Sequence, residues 1–93
     1  MDTTPPVIQH CPLDKNVLLA GDSWGKVVTW PEPLAIDVSG ESFMLLQSHK
    51  PGVMLPPGTT VVTYVYSDPS HNLAKCTFNV NVNSGEFFLN REK

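Results

Sequence analysis

The stretch that decides the fold reads AKCTFNVNV and spans residues 74–82. Apolar and polar side chains alternate along it, so that Cys76 and Phe78 fall on one face while Thr77 and Asn79 fall on the other. A period of two over nine residues is typical of a β-strand with one face in a core and the other in water. The stretch therefore predicts a half-buried strand in a sheet that packs on one side.

Other segments of the chain predict further strands. In 60–66, Val62, Tyr64 and Tyr66 share one face, while Val61, Thr63 and Val65 share the other. A third strand is expected over 26–30, with Val28 and Trp30 on one side. Weaker apolar runs predict four more short strands, at 7–9, 16–20, 43–48 and 53–55.

Turn signals separate these segments and decide between fold classes. Clusters of Gly, Pro, Asp, Asn and Ser recur about every 8 to 12 residues, which is the spacing of a β-sandwich or barrel. Pro31 and Pro33 end the third strand, because proline fixes its own φ and lacks the N–H that a central strand donates. Since no stretch of ten or more residues carries a helical stripe, the sequence predicts an all-β domain.

Composition excludes several classes of protein. The 93 residues fit one small domain with a thin core. Six Lys and Arg against nine Asp and Glu give a net charge of −3, which argues against a nucleic-acid partner. The longest apolar runs are far shorter than the roughly 20 residues of a membrane-spanning helix, so we expect no membrane insertion of this segment. The N-terminus lacks the pattern of a signal peptide, and we expect a domain of a larger protein.

An ordered series of short motifs runs through almost the whole chain. It begins with Asp-x-x-Pro-Pro-x-Ile and Cys-Pro, continues through Val-x-Trp, Ala-x-Asp and Ser-Gly, and ends with Pro-x-Gly-Thr-Thr, Val-x-Tyr and Cys-x-Phe-x-Val-x-Val. In this order and spacing the chain resembles the HYR (hyalin repeat) domain family. The residues that carry the resemblance are Asp2, Pro5, Pro6, Ile8, Cys11, Pro12, Val28, Trp30, Pro33, Ala35, Asp37, Ser39, Gly40, Pro51, Gly52, Pro56, Gly58, Thr59, Thr60, Val62, Tyr64, Asp68, Ser70, Asn72, Cys76, Phe78, Val80 and Val82.

The resemblance implies a fold, a location and a role. It implies an immunoglobulin-like or fibronectin-III-like β-sandwich, here of about seven antiparallel strands, in an extracellular multi-domain protein with a part in adhesion or protein contact. The sandwich is expected over residues 1–83, and 84–93 is expected to be a tail, a linker or the start of a next module. The chain departs from the family pattern at His71, where glycine is usual.

Cys11 and Cys76 are expected to form a disulfide between the first strand and the last. Two cysteines in a small domain without metal-type spacing favour a covalent bridge. Because Cys76 lies on the apolar face, we expect the bridge to be buried. The alternative is a pair of reduced thiols or metal ligands, which the separation of 65 residues makes less favourable.

A partner surface is predicted at two places. Trp24 lies in a Gly-rich turn, where an exposed indole would suit a binding hot spot, although it could equally fold back over the sandwich end. In the apolar run of Phe43, Met44, Leu45 and Leu46, two of the four side chains must face outward if the strand is half buried. The alternative is a central strand covered by a loop, by a neighbouring module or by Phe87, Phe88 and Leu89 of the tail.

No catalytic, metal or cofactor site is predicted. His10, His49 and His71 each lie in or beside a loop without convergent spacing, so solvated histidines are the default interpretation. Asp68, Ser70 and His71 fall in one turn, where their side chains cannot adopt the geometry of a catalytic triad. Asp68 and Ser70 are instead expected to hydrogen-bond the backbone of the turn, and Asn72 is expected to have a left-handed backbone conformation. Calcium between Asp37 and Asp68 is disfavoured, since it needs six to eight oxygens.

These observations predict a non-catalytic extracellular interaction or cell-adhesion module of a larger protein. Its partner is expected to be a protein, either a receptor or a matrix component, alongside neighbouring domains of the same chain. One alternative is a carbohydrate-binding or accessory domain of a secreted enzyme, which the inferred burial of most aromatic residues disfavours. The other is a purely structural spacer between active neighbours.

Overall fold

All regular structure in the computed structural model, which describes residues 4–21, 23–38 and 40–84, is β-strand. The eight strands in this part of the chain are β1 (Val7–Gln9), β2 (Lys15–Leu19), β3 (Lys26–Val28), β4 (Leu34–Ile36), β5 (Phe43–Gln47), β6 (Val53–Leu55), β7 (Gly58–Ser67) and β8 (Leu73–Ser84). The all-β prediction is confirmed. The tail residues Phe87, Phe88 and Leu89 lie outside the described residues.

One large sheet and two small ladders make up the fold. The large sheet has the order β2-β8-β7-β5, and its centre is the antiparallel β7–β8 hairpin, in register from Gly58↔Val82 to Ser67↔Leu73. The small ladders are β1–β4 and β3–β6, both antiparallel. Because inward side chains of all three sheets join a single core cluster, the arrangement is a β-sandwich.

The core follows from the period of two in the long strands. Val62, Tyr64 and Tyr66 of β7 and Cys76, Phe78, Val80 and Val82 of β8 are at most 5% exposed. Leu19, Val28, Trp30 and Leu55 close the core from other elements. The Trp30 ring meets Phe78 edge to face with centroids 5.4 Å apart, and Trp30 Nε1 donates to the Tyr64 hydroxyl at 2.9 Å. The inward faces predicted from the sequence are therefore confirmed.

Two details of the strands differ from the sequence-based expectation. β4 is an eighth strand where about seven were expected, and it directly follows Pro33 in a segment that reads as a turn. β2 pairs with β8 in parallel, Lys15↔Val80 through Leu19↔Ser84, whereas antiparallel pairing was expected throughout. Cys11 is bonded to Cys76 and Lys15 pairs with Val80, so the chain that leads into β2 runs in the same direction as β8.

The predicted disulfide is confirmed. Cys11 and Cys76 are bonded, with Cα atoms 5.7 Å apart, within the range of ordinary bridges. Cys76 is 1% exposed, as the alternating pattern of β8 predicts. Cys11 is exposed, since it lies in the segment between β1 and β2 and outside the core. The expectation of a buried bridge is therefore correct for the Cys76 side and wrong for the Cys11 residue, which is exposed.

Candidate protein-contact surface

β5 lies at one edge of the large sheet, and among the described strands it pairs only with β7. Its four apolar side chains are all substantially exposed: Phe43 by 49%, Met44 by 41%, Leu45 by 59% and Leu46 by 49%. The sequence predicted that two of them would face outward. Its edge position contradicts the alternative of a central strand, whereas cover by a neighbouring module or by the tail stays an alternative, because the tail lies outside the described residues.

A β-bulge explains why the alternation fails in β5. Met44 pairs with Tyr66 and Leu46 with Val65, so Leu45 is an extra residue opposite no partner. Directly paired residues share a face of a sheet, so Leu46 lies on the outward face with Val65, and Met44 lies on the core side with Tyr66. The sequence of this apolar run predicts a half-buried strand. Because of the bulge at the sheet edge, all four of its side chains are exposed instead.

Two rows of side chains extend the exposed surface across the sheet. In the pairing register, Phe43, Ser67 and Leu73 form one row, and Leu46, Val65 and Lys75 form the next. Leu73 is 57% exposed. Ser67 is 3% exposed, which is consistent with its larger neighbours Phe43 and Leu73 covering it. We call Phe43, Leu45, Leu46, Val65 and Leu73 the β5 patch.

Val65 and Leu73 were not among the sequence-predicted surface residues. The signal for Val65 was available, because it belongs to the second face of 60–66, opposite the buried tyrosines. Leu73 begins β8, just before the stretch 74–82 that was used for the prediction. Its pairing with Ser67 places its side chain on the outward face of the sheet. Their contribution makes the β5 patch contiguous over three strands.

The other end of the same outward face is polar. Asn81 donates to Asn16 Oδ1 at 2.9 Å and accepts from Thr59 Oγ1 at 2.6 Å. Asn79 N donates to Asp14 Oδ1 at 2.9 Å. These side chains bind one another across the strands, and the exposed apolar residues of this face outside the β5 patch are Val61, which is 51% exposed, and Leu18, which is 58% exposed.

Charged side chains border the β5 patch on two sides. Lys75 lies on β8 in the row of Val65 and Leu46. Glu41 lies two residues before Phe43, on the side where β5 begins. Both side chains are exposed. The apolar patch is therefore flanked by a negative group beyond the row of Phe43 and Leu73 and a positive group in the row of Leu46 and Val65, so the two charges are offset both along the strands and across the sheet.

Trp24 is exposed by 82% and does not join the β5 patch. Trp24 lies five residues after Leu19, which pairs with Ser84 at the end of β8. Phe43 lies in the row of Leu73, at the start of β8. The neighbouring exposed pair Val27↔Met54 belongs to the β3–β6 ladder. The structure thus separates the two sequence-predicted surfaces by most of the length of β8, on the order of 30 Å.

The turn at residues 68–72, which contains the residue types of a catalytic triad, is held by hydrogen bonds to the Asp68 side chain. The Asp68 carboxylate, which is fully buried, accepts from Asn72 N at 2.8 Å and from Asn72 Nδ2 at 2.9 Å. The expectation that Asp68 bonds its own turn is confirmed. The left-handed residue is His71, with φ 71°, so the expectation for Asn72 was wrong.

The described ranges hold neither a metal-binding cluster nor a membrane-spanning helix. No group of three or more His, Cys, Asp or Glu side chains there is arranged to hold a metal ion. No helix in the part of the chain that the structure describes has the length and apolarity needed to cross a membrane.

Comparison with known proteins identifies relatives of this chain. The family model described as the HYR domain matches residues 1–82. The chain is 40% identical over 83 residues to hyalin of Strongylocentrotus purpuratus and 40% identical over 84 residues to hyalin of Lytechinus variegatus, with 88% of the chain covered in each case. It is 34% identical over 80 residues, or 86% of its length, to mouse sushi, von Willebrand factor type A, EGF and pentraxin domain-containing protein 1.

The chain covers only a small part of each of these relatives. The matched regions make up 7% and 16% of the two hyalins and 2% of the mouse protein. No solved structure matches the chain significantly.

Proposed function

This chain belongs to the HYR domain family, and on that premise we propose that it is a non-catalytic module of an extracellular multi-domain protein that binds other proteins through the β5 patch. The single observation that carries the proposal is the exposure of Phe43, Leu45, Leu46 and Leu73, each by about half, around one sheet edge. The largest apolar patch on a monomeric domain is often a binding site.

The disulfide supports an extracellular location. Disulfides persist in oxidising compartments and are rare in the reducing cytosol. A small domain with a thin core also gains most from such a covalent link.

The path of the chain supports a place in a row of modules. The bridge fixes Cys11 to Cys76 near the start of β8, and β8 then runs eight residues further to Ser84, about 26 Å away. Entry and exit therefore lie towards opposite ends of the sandwich. Neighbouring domains attached there would leave the outward face of the large sheet open to a protein receptor or matrix component.

The two alternatives are less well supported. A carbohydrate-binding domain would be expected to group exposed aromatic rings, yet the exposed rings among the described residues, Trp24 and Phe43, lie towards opposite ends of β8. A pure spacer has no use for an exposed apolar edge, which carries a risk of aggregation.

Cell attachment to surfaces coated with the 93-residue chain tests the proposal. Leu46→Lys places a charge in the β5 patch, whereas Leu18→Lys makes the same change at a similarly exposed site at the polar end of the outward face. We expect Leu46→Lys to abolish attachment and Leu18→Lys to preserve it. Trp24→Ala tests the separate turn. Attachment that no variant changes, or none above an uncoated control, would favour the spacer instead.

A further inference from the structure

We propose that the partner of the β5 patch is a second copy of the same domain, bound face to face about a two-fold axis. This inference rests on the proposed function, since it names the partner of the same surface. It is carried by the area of the patch, by the bulge in β5 and by the charges on the two sides of the patch.

The area of the β5 patch fits a small symmetric contact. Phe43, Leu45, Leu46 and Leu73 each expose about half of their surface. Together these side chains present roughly 400 Å² of apolar surface, within the size of the largest patches on typical monomers. Two copies with their rims would bury on the order of 1,000 Å², which is close to the lower limit for a specific interface.

The bulge determines how the second copy is bound. An edge strand usually recruits a partner by adding another strand to its free backbone groups. The extra residue Leu45 interrupts the regular ladder of β5 and twists this edge, so strand addition is disfavoured. The outward side chains therefore make the contact, and two large sheets pack with their apolar ends together.

The charges beside the patch are self-complementary. In a two-fold interface, if residue i of one copy meets residue j of the other, then j also meets i. Glu41 and Lys75 border the patch on two sides, so one rotation brings each of them towards its opposite in the second copy. The apolar centre contains no charge of its own, so two copies of net charge −3 meet at a surface without local repulsion.

A contact of this size is expected to be weak for a single domain. Interfaces near the lower limit of area are typically transient. Several copies on one chain or one surface would add their contacts through a high effective concentration, so a weak contact between single domains is enough for adhesion.

Sedimentation equilibrium of the 93-residue chain at low salt, up to about millimolar concentration, tests the proposal. We expect a monomer–dimer equilibrium in the wild type. Glu41→Lys and Lys75→Glu should each weaken it by about fivefold or more, because each single change creates two repulsive pairs. The double variant, which exchanges the two charges, should return to within about threefold of the wild type, since both attractive pairs are restored.

Control variants distinguish binding of a second copy of the domain from binding of a different protein. Leu46→Lys should abolish dimerisation and Leu18→Lys should leave it unchanged, with circular dichroism showing that all variants are folded. A wild type that stays monomeric, a dimer insensitive to Leu46→Lys, or a double variant that is not restored would overturn this inference. If cell attachment still depends on Leu46 in any of those cases, the proposed function stands and the partner is a different protein.

Discussion

His71 has a strained backbone conformation. Its φ is 71°, in the left-handed region that costs a residue with a Cβ roughly 1–2 kcal/mol. Hydrogen bonds within the turn hold this conformation: His71 N donates to Asp68 O at 3.0 Å, and Asn72 N donates to the Asp68 carboxylate.

His71→Gly is expected to raise the free energy of unfolding by up to about 1 kcal/mol. The strain is removed, and part of this gain is offset by the greater freedom of glycine in the unfolded chain. Urea denaturation measures the difference. Ser70→Gly is the matched control in the same turn, because Ser70 has no positive φ and should lose stability on substitution. A destabilised His71→Gly variant would contradict this account.

Tyr66 makes stability depend on pH in the alkaline range. Burial raises the pKa of the Tyr66 phenol from its ordinary value of 10.0, and the neighbouring Tyr64 and Glu32 raise it further. The hydroxyl donates to Pro33 O at 2.8 Å, which the phenolate cannot do. Since the folded state holds this proton more tightly than the unfolded chain, the contribution is complete below about pH 10 and is lost as the pH rises through the raised pKa.

We therefore expect the free energy of unfolding of the wild type to fall more steeply above about pH 10 than that of Tyr66→Phe. Urea denaturation over a series of pH values compares the two slopes. The Phe variant is expected to be less stable at neutral pH, because it lacks the bond to Pro33. Equal slopes for the two proteins would show that Tyr66 does not control the alkaline response.

Among the strands, the long alternating ones and the three-residue strands β1 and β6 were predictable, whereas β4 was not. β7 and β8 were recognised because ten and twelve residues give the period of two room to repeat. β4 was missed because it directly follows Pro33 in a segment that reads as a turn, where proline argues against a central strand. β5 was recognised as a strand, but its exposure depends on an edge position and a bulge, which arise from pairing with β7 and leave no local signal.

Neighbouring valines in β7 test the assignment of faces. Val62 is fully buried and Val61 is 51% exposed, although they are adjacent in the chain. Val62→Ala should lower the free energy of unfolding by about 2 kcal/mol, because it leaves a cavity in the core. Val61→Ala should change it by less than about 0.5 kcal/mol. Urea denaturation of both variants checks the register, and similar losses in the two would show that it is wrong.

At the scale of the whole molecule, the disulfide compensates for a thin core. The bridge closes a loop with a sequence separation of 65 between the start of the domain and its last strand. In the chain-entropy description a loop of this size stabilises the fold by about 4 kcal/mol, a large share of what a small domain has. The cysteines alone left the alternative of thiols or metal ligands open, which only the three-dimensional pairing excludes.

Replacing both cysteines by alanine is expected to lower the free energy of unfolding by about 4 kcal/mol. Chemical denaturation of wild type and double variant measures the loss. Reduction of the wild type should produce a loss of similar size, and the same reductant should leave the double variant unchanged. A loss below about 1 kcal/mol would contradict the stabilising role given to the bridge.

Binding of two copies of this domain to each other through the β5 patch is tested most directly by the concentration dependence of the amide ¹H and ¹⁵N chemical shifts of the 93-residue chain. Shifts are expected to change with concentration at residues 43–46 and 73–75, while those of Trp24 and Asn79 stay constant. Shifts that do not depend on concentration, or changes centred on the Trp24 turn, would contradict self-association through this surface.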